Sequence, residues 1–410
     1  MLFRRRDFLA ASGAGVATAA LATTGFSRQA RAQAAPIKIG FTTALTGPFN
    51  EYGEGYRRGV EIALEKINGA GGVLGRKIEI GMLLDDQLIP DRAVQNMRRI
   101  LDNKEIVALL CPSGSGPTLA IADMVTADGR PIMNPQAQTP TVIYPEGTGK
   151  KPRKNMFTTS IQNDIEAAFM AEVLSAKYTR IGLLHESTGY GKTGAELIRN
   201  DIKRMKPDAN VTQESFNQKD QDMTAQLVRI QRARAEVVMF VGLGADLSVI
   251  RKNMVRMNMT IPLYTTAGGL SPPYVEGAGD LVIGTRGSLY RKIATLPPPP
   301  ETKEFLDAYK AKHGTDRLWG PDPARPYPSM GGTVATGYDC GLLLADAMRR
   351  AGTTDADPVI KAMEATKDFL GANGTYTFSD MKHHAIEGKD LATYEYVKKD
   401  GRLELQQVPI

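Results

Sequence analysis

The sequence predicts an α/β protein made of two doubly wound lobes. Its 410 residues, 42% hydrophobic and 7% aromatic, suit a globular chain of about two domains. From residue 36 onward, short apolar runs of strand character alternate with longer segments whose apolar residues recur at helical spacing. This alternation is typical of parallel sheets wound by right-handed βαβ units, and it occurs in two series along the chain.

The first series supplies one lobe. The first helix is indicated by Val60, Ala63 and Ile67, which lie on one face at helical spacing. Pro90 favours the start of the second helix, because its fixed φ angle suits the first helical turn. We expect strands at residues 37–44, 77–84, 106–111 and from 131 onward, and helices at 53–68, 91–101 and 117–126.

The second series supplies the other lobe. In open α/β sheets, ligands bind outside the carboxyl ends of the strands, so the loops that follow the strands are the candidates for a functional site. We expect strands at residues 180–185, 211–216, 236–243 and 261–265, and helices at 191–205, 223–233 and 246–257.

Residues 1–34 have the pattern of an export signal. A basic start at residues 4–6 precedes a weakly apolar stretch at 10–26, and two small-x-small sites end at Ala32 and Ala34. We therefore expect cleavage after Ala32 or Ala34 and a periplasmic mature protein.

The export route stays open. The segment from Arg5 to Leu9 (RRDFL) resembles the twin-arginine signal. Arg4 stands where Ser or Thr is usual and Ala10 where Lys is usual, so the general secretory route fits as well. No later segment is long and apolar enough to predict a membrane span.

Charge and reactive residues argue against several functions. The first 34 residues carry five Arg and one Asp, so the net charge of +6 falls to about +2 in the mature chain, too little for a nucleic-acid-binding surface. The four His have neither metal-ligand nor catalytic spacing. We expect no enzyme activity, no cofactor and no metal.

Cys111 and Cys340 also lack metal-ligand spacing, and whether they pair is left open.

Two loops predict a binding site for an anion. Residues 112–117 follow a buried strand and open a helix; Gly114 lets backbone N–H groups approach a ligand, and the hydroxyls of Ser113 and Ser115 add donors. A plain helix cap is the alternative for this loop. The segment 134–140 ends the neighbouring strand at the same expected edge, which favours the binding interpretation.

Several segments resemble one family. They are residues 40–48 (GFTTALTGP), Tyr52-Gly53, 67–76 (INGAGGVLGR), Asp85-Asp86 with Pro90 and Ala93, the loop around Ser113, Tyr190-Gly191 and Phe378-Ser379-Asp380. Over nearly its whole mature length, the chain resembles the periplasmic leucine/isoleucine/valine-binding proteins of ABC importers.

The resemblance implies the type I periplasmic binding protein fold, with two Rossmann-like lobes joined by three crossovers and closing by a hinge. We expect the first lobe at residues 35–158 and 286–366, and the second at 159–285 and 367–410.

The resemblance also implies residue roles. The loop from Ser113 to Ser115, including Gly114, would hold the ligand carboxylate. Gln136, Ala137 and Gln138 would lend backbone and side-chain groups to the carboxylate and the ammonium. Tyr52 and Tyr190 would be cleft aromatics, one from each lobe.

The chain departs from the family pattern at three positions. Gln138 stands where the family has Thr, and Leu88 stands where the family has the half-cystine partner of Cys111. Ala267 stands where the family has the acid that pairs with the α-ammonium. A buried ammonium without a counter-ion costs several kcal/mol, so this change bears on the solute.

We therefore expect a monomeric, non-enzymatic binding protein that captures a small carboxylate-bearing solute and delivers it to an ABC importer permease. A branched-chain or other hydrophobic amino acid is one solute class. An aromatic or other organic acid without an α-ammonium is the alternative, and a ligand-sensing receptor domain is the second alternative.

Overall fold

A computed structural model describes residues 35–314 and 328–409. The export signal expected at residues 1–34, with its cleavage sites, lies outside the described residues. Within the described ranges the chain forms two large β-sheets, each covered by helices on both faces, and one short ribbon.

The first sheet is parallel throughout. Its order in the described chain is β2-β1-β3-β4-β5. The strands are β1 (Ile37–Thr43), β2 (Ile78–Asp85), β3 (Ile106–Leu110), β4 (Ile132–Asn134) and β5 (Met156–Thr158). The helices between them are α1 (Asn50–Gly69), α2 (Pro90–Asp102) and α3 (Ser115–Asp128).

The second sheet repeats the same winding. In the described chain, its parallel part has the order β7-β6-β8-β9-β10, and β13 and β14 extend it antiparallel beside β10. The parallel strands are β6 (Arg180–Glu186), β7 (Asn210–Phe216), β8 (Val237–Val241), β9 (Leu263–Thr265) and β10 (Arg286–Tyr290). The helices are α4 (Asn163–Ser175), α5 (Gly189–Met205), α6 (Thr224–Arg232), α7 (Gly244–Arg256) and α8 (Pro272–Ala278).

The remaining elements complete both lobes. The helices α9 (Arg291–Ala294), α10 (Pro300–His313), α11 (Pro328–Ala351) and α12 (Ala356–Glu364) follow β10. The strands β11 (Phe369–Leu370) and β12 (Thr375–Tyr376) form the ribbon, and β13 (Leu391–Lys399) and β14 (Arg402–Val408) end the described chain.

Both predicted series of strands and helices are confirmed, with bounds that differ by a few residues. The prediction missed β5 and α4, which lie between the two series. The start of α2 at Pro90 is also confirmed. The end of α3 is marked by Gly129, whose φ of 84° is the left-handed conformation that favours glycine as a helix cap.

Apolar residues fill both faces of each sheet. One cluster joins α1 and α11 of the first lobe to α4 and α5 of the second, so the core is continuous at the crossovers. A second cluster lies under α2 and α3, and a third lies under α6, α7 and α8. The lobes are thus tied together on one side, and the opposite side is free to form a cleft.

Strand pairing refines the predicted lobe boundaries. The strand Arg286–Tyr290 pairs with β9 and β13, so it belongs with the second sheet rather than with the first lobe. The segment after Glu364 stays on the first lobe, because the ring of His383 stacks on Phe157 with centroids 3.9 Å apart. We therefore propose crossovers at 159–162, after Tyr290 and at about 390.

Candidate functional site

A cavity of about 170 Å³ lies between the lobes, at the carboxyl ends of both sets of strands. This edge is where open α/β sheets bind ligands. The first lobe contributes Tyr52, Leu88, Pro90, Ser113, Gly114, Ser115, Gly116, Pro117, Pro135, Gln136, Gln138, Thr333 and Thr336. The second lobe contributes Thr188, Tyr190, Gln218, Leu243, Ala267, Gly268, Leu289 and Tyr290, and Ser160 lies on the first crossover.

The serine loop lies at the start of α3, as predicted. The Ser115 oxygen accepts the backbone N–H groups of Gln138 and Thr139 at 3.1 and 3.2 Å. Both lone pairs of the hydroxyl are thus used, so its hydrogen is left to donate. The N–H groups of the first helical turn have no partner within the helix, which adds positive potential at this end of the cavity.

Gly114 and Ser113 fix the shape of this loop. A Cβ at Gly114 would lie 2.6 Å from a terminal methyl of Leu88, so a larger residue here would need the Leu88 side chain to move. The Ser113 oxygen accepts the N–H of Ala44 at 3.3 Å, which ties the loop to the end of β1. The predicted loop is therefore prearranged by the neighbouring strands.

The second predicted segment is shaped by Asn134. Its side-chain oxygen accepts the N–H groups of Gln136 and Ala137 at 3.2 and 2.8 Å, and its nitrogen donates to the Ala137 carbonyl at 2.6 Å. Gln136 and Gln138 line the cavity. The Ala137 side chain is buried in the core cluster under α2 and α3, and the predicted part of Ala137 in binding stays a prediction.

The glutamine amides are left without protein partners. Neither amide atom of Gln136, nor the amide oxygen of Gln138, bonds to any residue that the structure describes, although all three atoms are buried. Buried polar atoms in native proteins are bonded as a rule, and an unmet group costs about 1–3 kcal/mol. These atoms are therefore candidates for contact with a ligand.

Tyr52 closes the cleft from the first lobe. Its hydroxyl donates to the Gly268 carbonyl of the second lobe at 2.6 Å and accepts the N–H of Gly244 at 3.5 Å. Burial raises the pKa of Tyr52, so the phenol is neutral at physiological pH. A second bond joins the lobes, from the Thr139 hydroxyl to the Gly189 carbonyl at 3.1 Å. The described conformation is therefore a closed one.

Tyr190 and Ala267 form the facing wall. The Tyr190 hydroxyl donates to the Thr266 side chain at 2.7 Å, within the second lobe. The N–H of Ala267 donates to a carboxylate oxygen of Glu166 at 2.7 Å, and the Ser288 hydroxyl donates to the same oxygen. Burial raises the pKa of Glu166 to about 6, and the two donated hydrogen bonds oppose this shift.

The sequence analysis missed part of the lining. Gln218 follows β7 and Thr188 follows β6, so the strand-end rule could have found both. Thr333 and Thr336 lie on α11, a helix without a site signal in its sequence. Leu243 belongs to a Gly-Leu-Gly turn after β8.

Other candidate groups lie outside the cavity. The two cysteines, Cys111 and Cys340, are buried and unpaired with each other. Among the described residues, no group of His, Cys, Asp and Glu has the arrangement of a metal site. No helix of the described ranges has the length and apolar character of a membrane span.

The two wound lobes and the closed cavity between them define a two-lobed binding-protein fold. The chain belongs to the periplasmic binding protein family, whose sequence model matches residues 36–402. The family resemblance and the type I fold predicted from the sequence are thereby confirmed.

Individual relatives cover nearly the whole chain. A leucine-, isoleucine-, valine-, threonine- and alanine-binding protein of Pseudomonas aeruginosa is 26% identical over 401 residues, 95% of this chain and 97% of the relative. A type 1 periplasmic binding protein of Bordetella pertussis Tohama I is 50% identical in its crystal structure, with a TM-score of 0.87, over 91% of this chain and 100% of that chain.

The fold is also shared with more distant proteins. The branched-chain amino acid transporter substrate-binding protein LivJ of Streptococcus pneumoniae, crystallised in complex with isoleucine, is 22% identical. Its TM-score is 0.73, over 91% of this chain and 100% of that chain.

Proposed function

We propose that this chain is the solute-capturing component of an ABC importer, and that it binds a small carboxylate with an apolar body between its lobes. The class includes hydrophobic amino acids and organic acids without an ammonium. The chain would act as a monomer that binds rather than catalyses, and would pass its solute to the importer permease.

The observation that carries the proposal is the donor set at the start of α3. The Ser115 hydroxyl, whose oxygen accepts two backbone N–H groups, lies in the cavity lining together with Gly116, the next residue of the first helical turn. Neutral donors at a helix N-terminus suit a carboxylate. The apolar side chains of Leu88, Leu243 and Leu289 also line the cavity and suit an apolar body.

The relatives support the solute class. The Pseudomonas aeruginosa relative is named for binding leucine, isoleucine, valine, threonine and alanine, which are carboxylates with small or apolar side chains. The closing contact of Tyr52 across the cleft supports capture by enclosure rather than surface binding.

A thermal-unfolding screen tests the proposal. A carboxylate present at a hundred times its Kd should stabilise the protein by about 2.7 kcal/mol, visible as a higher Tm. The panel holds leucine, phenylalanine, their 2-oxo acids and their deamino acids, and the primary amides of the same compounds are the matched controls. Two results would contradict the proposal. One is equal stabilisation by the amides and the acids, and the other is a panel in which no acid stabilises the protein.

Uptake measurements test the importer role. Cells that lack this chain should lose high-affinity uptake of the labelled solute identified by the screen, and the cloned chain should restore it. Undiminished uptake without the chain would argue against delivery to an importer.

Export belongs to the same proposal. We propose that residues 1–34 direct export and are removed after Ala32 or Ala34, which places the mature protein in the periplasm. N-terminal sequencing of the periplasmic protein should then begin at Gln33 or Ala35. A start at Met1 would contradict the assignment.

A further inference from the structure

We propose that the solute of this cavity is a carboxylate without an α-ammonium group, such as a 2-oxo, 2-hydroxy or deamino acid with an apolar body. The inference rests on the proposed function and narrows its substrate class. The feature that carries it is the charge of the cavity wall.

The wall is uncharged. Among the residues that the structure describes, the side chains lining the cavity are those of Ser, Thr, Gln, Tyr, Leu, Pro and Ala, and none is Asp, Glu, Lys, Arg or His. An ammonium enclosed here would lose its water without gaining a counter-ion, which is strongly unfavourable. A carboxylate does not meet this difficulty, because the start of α3 supplies N–H and O–H donors.

Two buried acids next to the wall accept hydrogen bonds from the protein itself. Glu166 receives the Ala267 N–H and the Ser288 hydroxyl on one oxygen. Glu186 receives the N–H and hydroxyl of Thr188, both at 2.6 Å, and the N–H of Gly191 at 2.7 Å. Both acids are almost completely buried and lie behind the wall. Through these bonds they hold the loops of the wall in place.

Two further buried acids also lie outside the lining. Asp246 accepts the N–H of Lys219 at 2.9 Å, and its other oxygen has no partner among the described residues. Glu51 lies in the first turn of α1, beside Tyr52. Neither contributes to the cavity wall, so the described part of the wall offers a ligand no carboxylate.

The unpartnered polar groups that face the cavity belong to neutral amides. The Gln136 amide offers both a donor and an acceptor, and the Gln138 oxygen offers an acceptor, all without protein partners among the described residues. An amide N–H can donate to a keto or hydroxyl oxygen, and an amide oxygen can accept from a hydroxyl. The same neutral groups cannot compensate the full charge of an ammonium.

Calorimetry with matched pairs tests the inference on the purified chain at neutral pH. The pairs are leucine with 4-methyl-2-oxopentanoate and with 4-methylpentanoate, and phenylalanine with phenylpyruvate and with 3-phenylpropanoate. We expect the tightest ammonium-free partner to bind at least tenfold more tightly than its amino acid, a difference of about 1.4 kcal/mol. An amino acid that binds as tightly as its partners, or more tightly, would overturn the inference while leaving the proposed function intact. Failure of every carboxylate to bind would instead overturn the proposed function.

A pair of variants tests whether wall charge sets the preference. Ala267→Glu places an acid in the wall, and Ala267→Gln, of the same size and without charge, is the control. Relative to the control, Ala267→Glu should shift the affinity ratio at least tenfold toward the amino acid, and the Tm of each ligand-free variant reports its folding. An equal ratio in the two folded variants would overturn the role given to the wall.

Discussion

The amide of Gln136 lines the cavity and, among the described residues, makes no bond that would support the fold. Both of its polar atoms are buried, and neither bonds to a described residue. The N–H of Gln136 donates to the Asn134 side-chain oxygen at 3.2 Å, which fixes the backbone of Gln136. The direction of the Gln136 side chain therefore follows from its backbone, because the side chain has no hydrogen-bond partner of its own among the described residues. Such a group lowers the stability of the ligand-free protein, and we expect a bound ligand to satisfy it.

Replacing this amide should therefore separate stability from binding. Gln136→Leu should raise the stability of the ligand-free protein by about 1 kcal/mol and weaken ligand binding about tenfold, because the unmet amide atoms are removed. Denaturant titration and calorimetry measure the two effects. Gln226→Leu, on α6 and away from the cavity, is the control and should leave the affinity unchanged. Reduced stability with unchanged affinity would mean that Gln136 is structural.

Glu51 makes the stability of the closed protein depend on pH. Its side chain is buried, and one carboxylate oxygen has no partner among the described residues. Burial raises the pKa of Glu51 to about 8, and the nearby charge of Glu276 acts in the same direction. Between its unfolded pKa near 4.5 and about 8, the folded state binds more protons than the unfolded state, so stability is lost as the pH rises through this window.

Glu51→Gln should remove this pH dependence. Relative to the variant, the wild type should lose on the order of 4 kcal/mol of unfolding free energy between pH 5 and pH 9. Glu65→Gln, at an exposed position of the same helix, is the control and should run parallel to the wild type. Parallel curves for Glu51→Gln and the wild type would contradict the assignment.

Among single residues, those next to strand ends could be predicted from the sequence. Ser113, Ser115 and Gln138 follow buried strands of a parallel sheet, and all three line the cavity. Thr336 reaches the cavity only because α11 packs beside the first crossover, where the Thr159 hydroxyl donates to its carbonyl at 3.1 Å. Such a tertiary arrangement leaves no local pattern in the sequence.

At the scale of elements, the helices α1 and α11 can approach closely because glycines lie at their contact. A Cβ at Gly59 would lie 1.9 Å from the carbonyl oxygen of Val334, and one at Gly337 would lie 2.3 Å from that of Tyr56. Both obstacles are backbone atoms, so a side chain could be fitted only by separating the helices. Close approach of these helices also brings residues of α11 to the cavity.

A substitution at this contact should be severely destabilising. Gly59→Ala forces the backbones apart, and we expect a loss of at least about 3 kcal/mol in the free energy of unfolding. Gly69→Ala, in the same helix, meets no described atom within 4 Å and should be neutral or stabilising by up to about 1 kcal/mol. Equal unfolding curves for the two variants would show that the contact is not tight.

The elements with strong periodicity were predictable, and the rest follow from tertiary packing. Amphipathic helices such as α1 and α2 have one buried face, which leaves a clear spacing of apolar residues. The missed α4 is buried on most sides, so its apolar residues show no single face. The missed β5 is only three residues long and is recognised by its pairing with β4.

For the whole molecule, the repeated strand order could be expected from the alternating series, but the crossover positions could not. The boundary after Tyr290 depends on the pairing of β10 with β9 and β13, and these partners are distant in sequence. The continuous core at the crossovers leaves the opposite edges of the lobes to open and close. Tyr52 joins these edges by its bond to Gly268, so we infer that it favours the closed form.

Small-angle scattering tests most directly whether the lobes close around a carboxylate. We predict a smaller radius of gyration when the protein is saturated with the acid that binds most tightly. Tyr52→Phe, which removes the bond between lobes, should need more acid to reach the smaller radius. Tyr274→Phe, which removes a bond within the second lobe and lies outside the cavity lining, should respond to the acid like the wild type. A radius of gyration that stays unchanged in the wild type at saturation would contradict closure around the ligand.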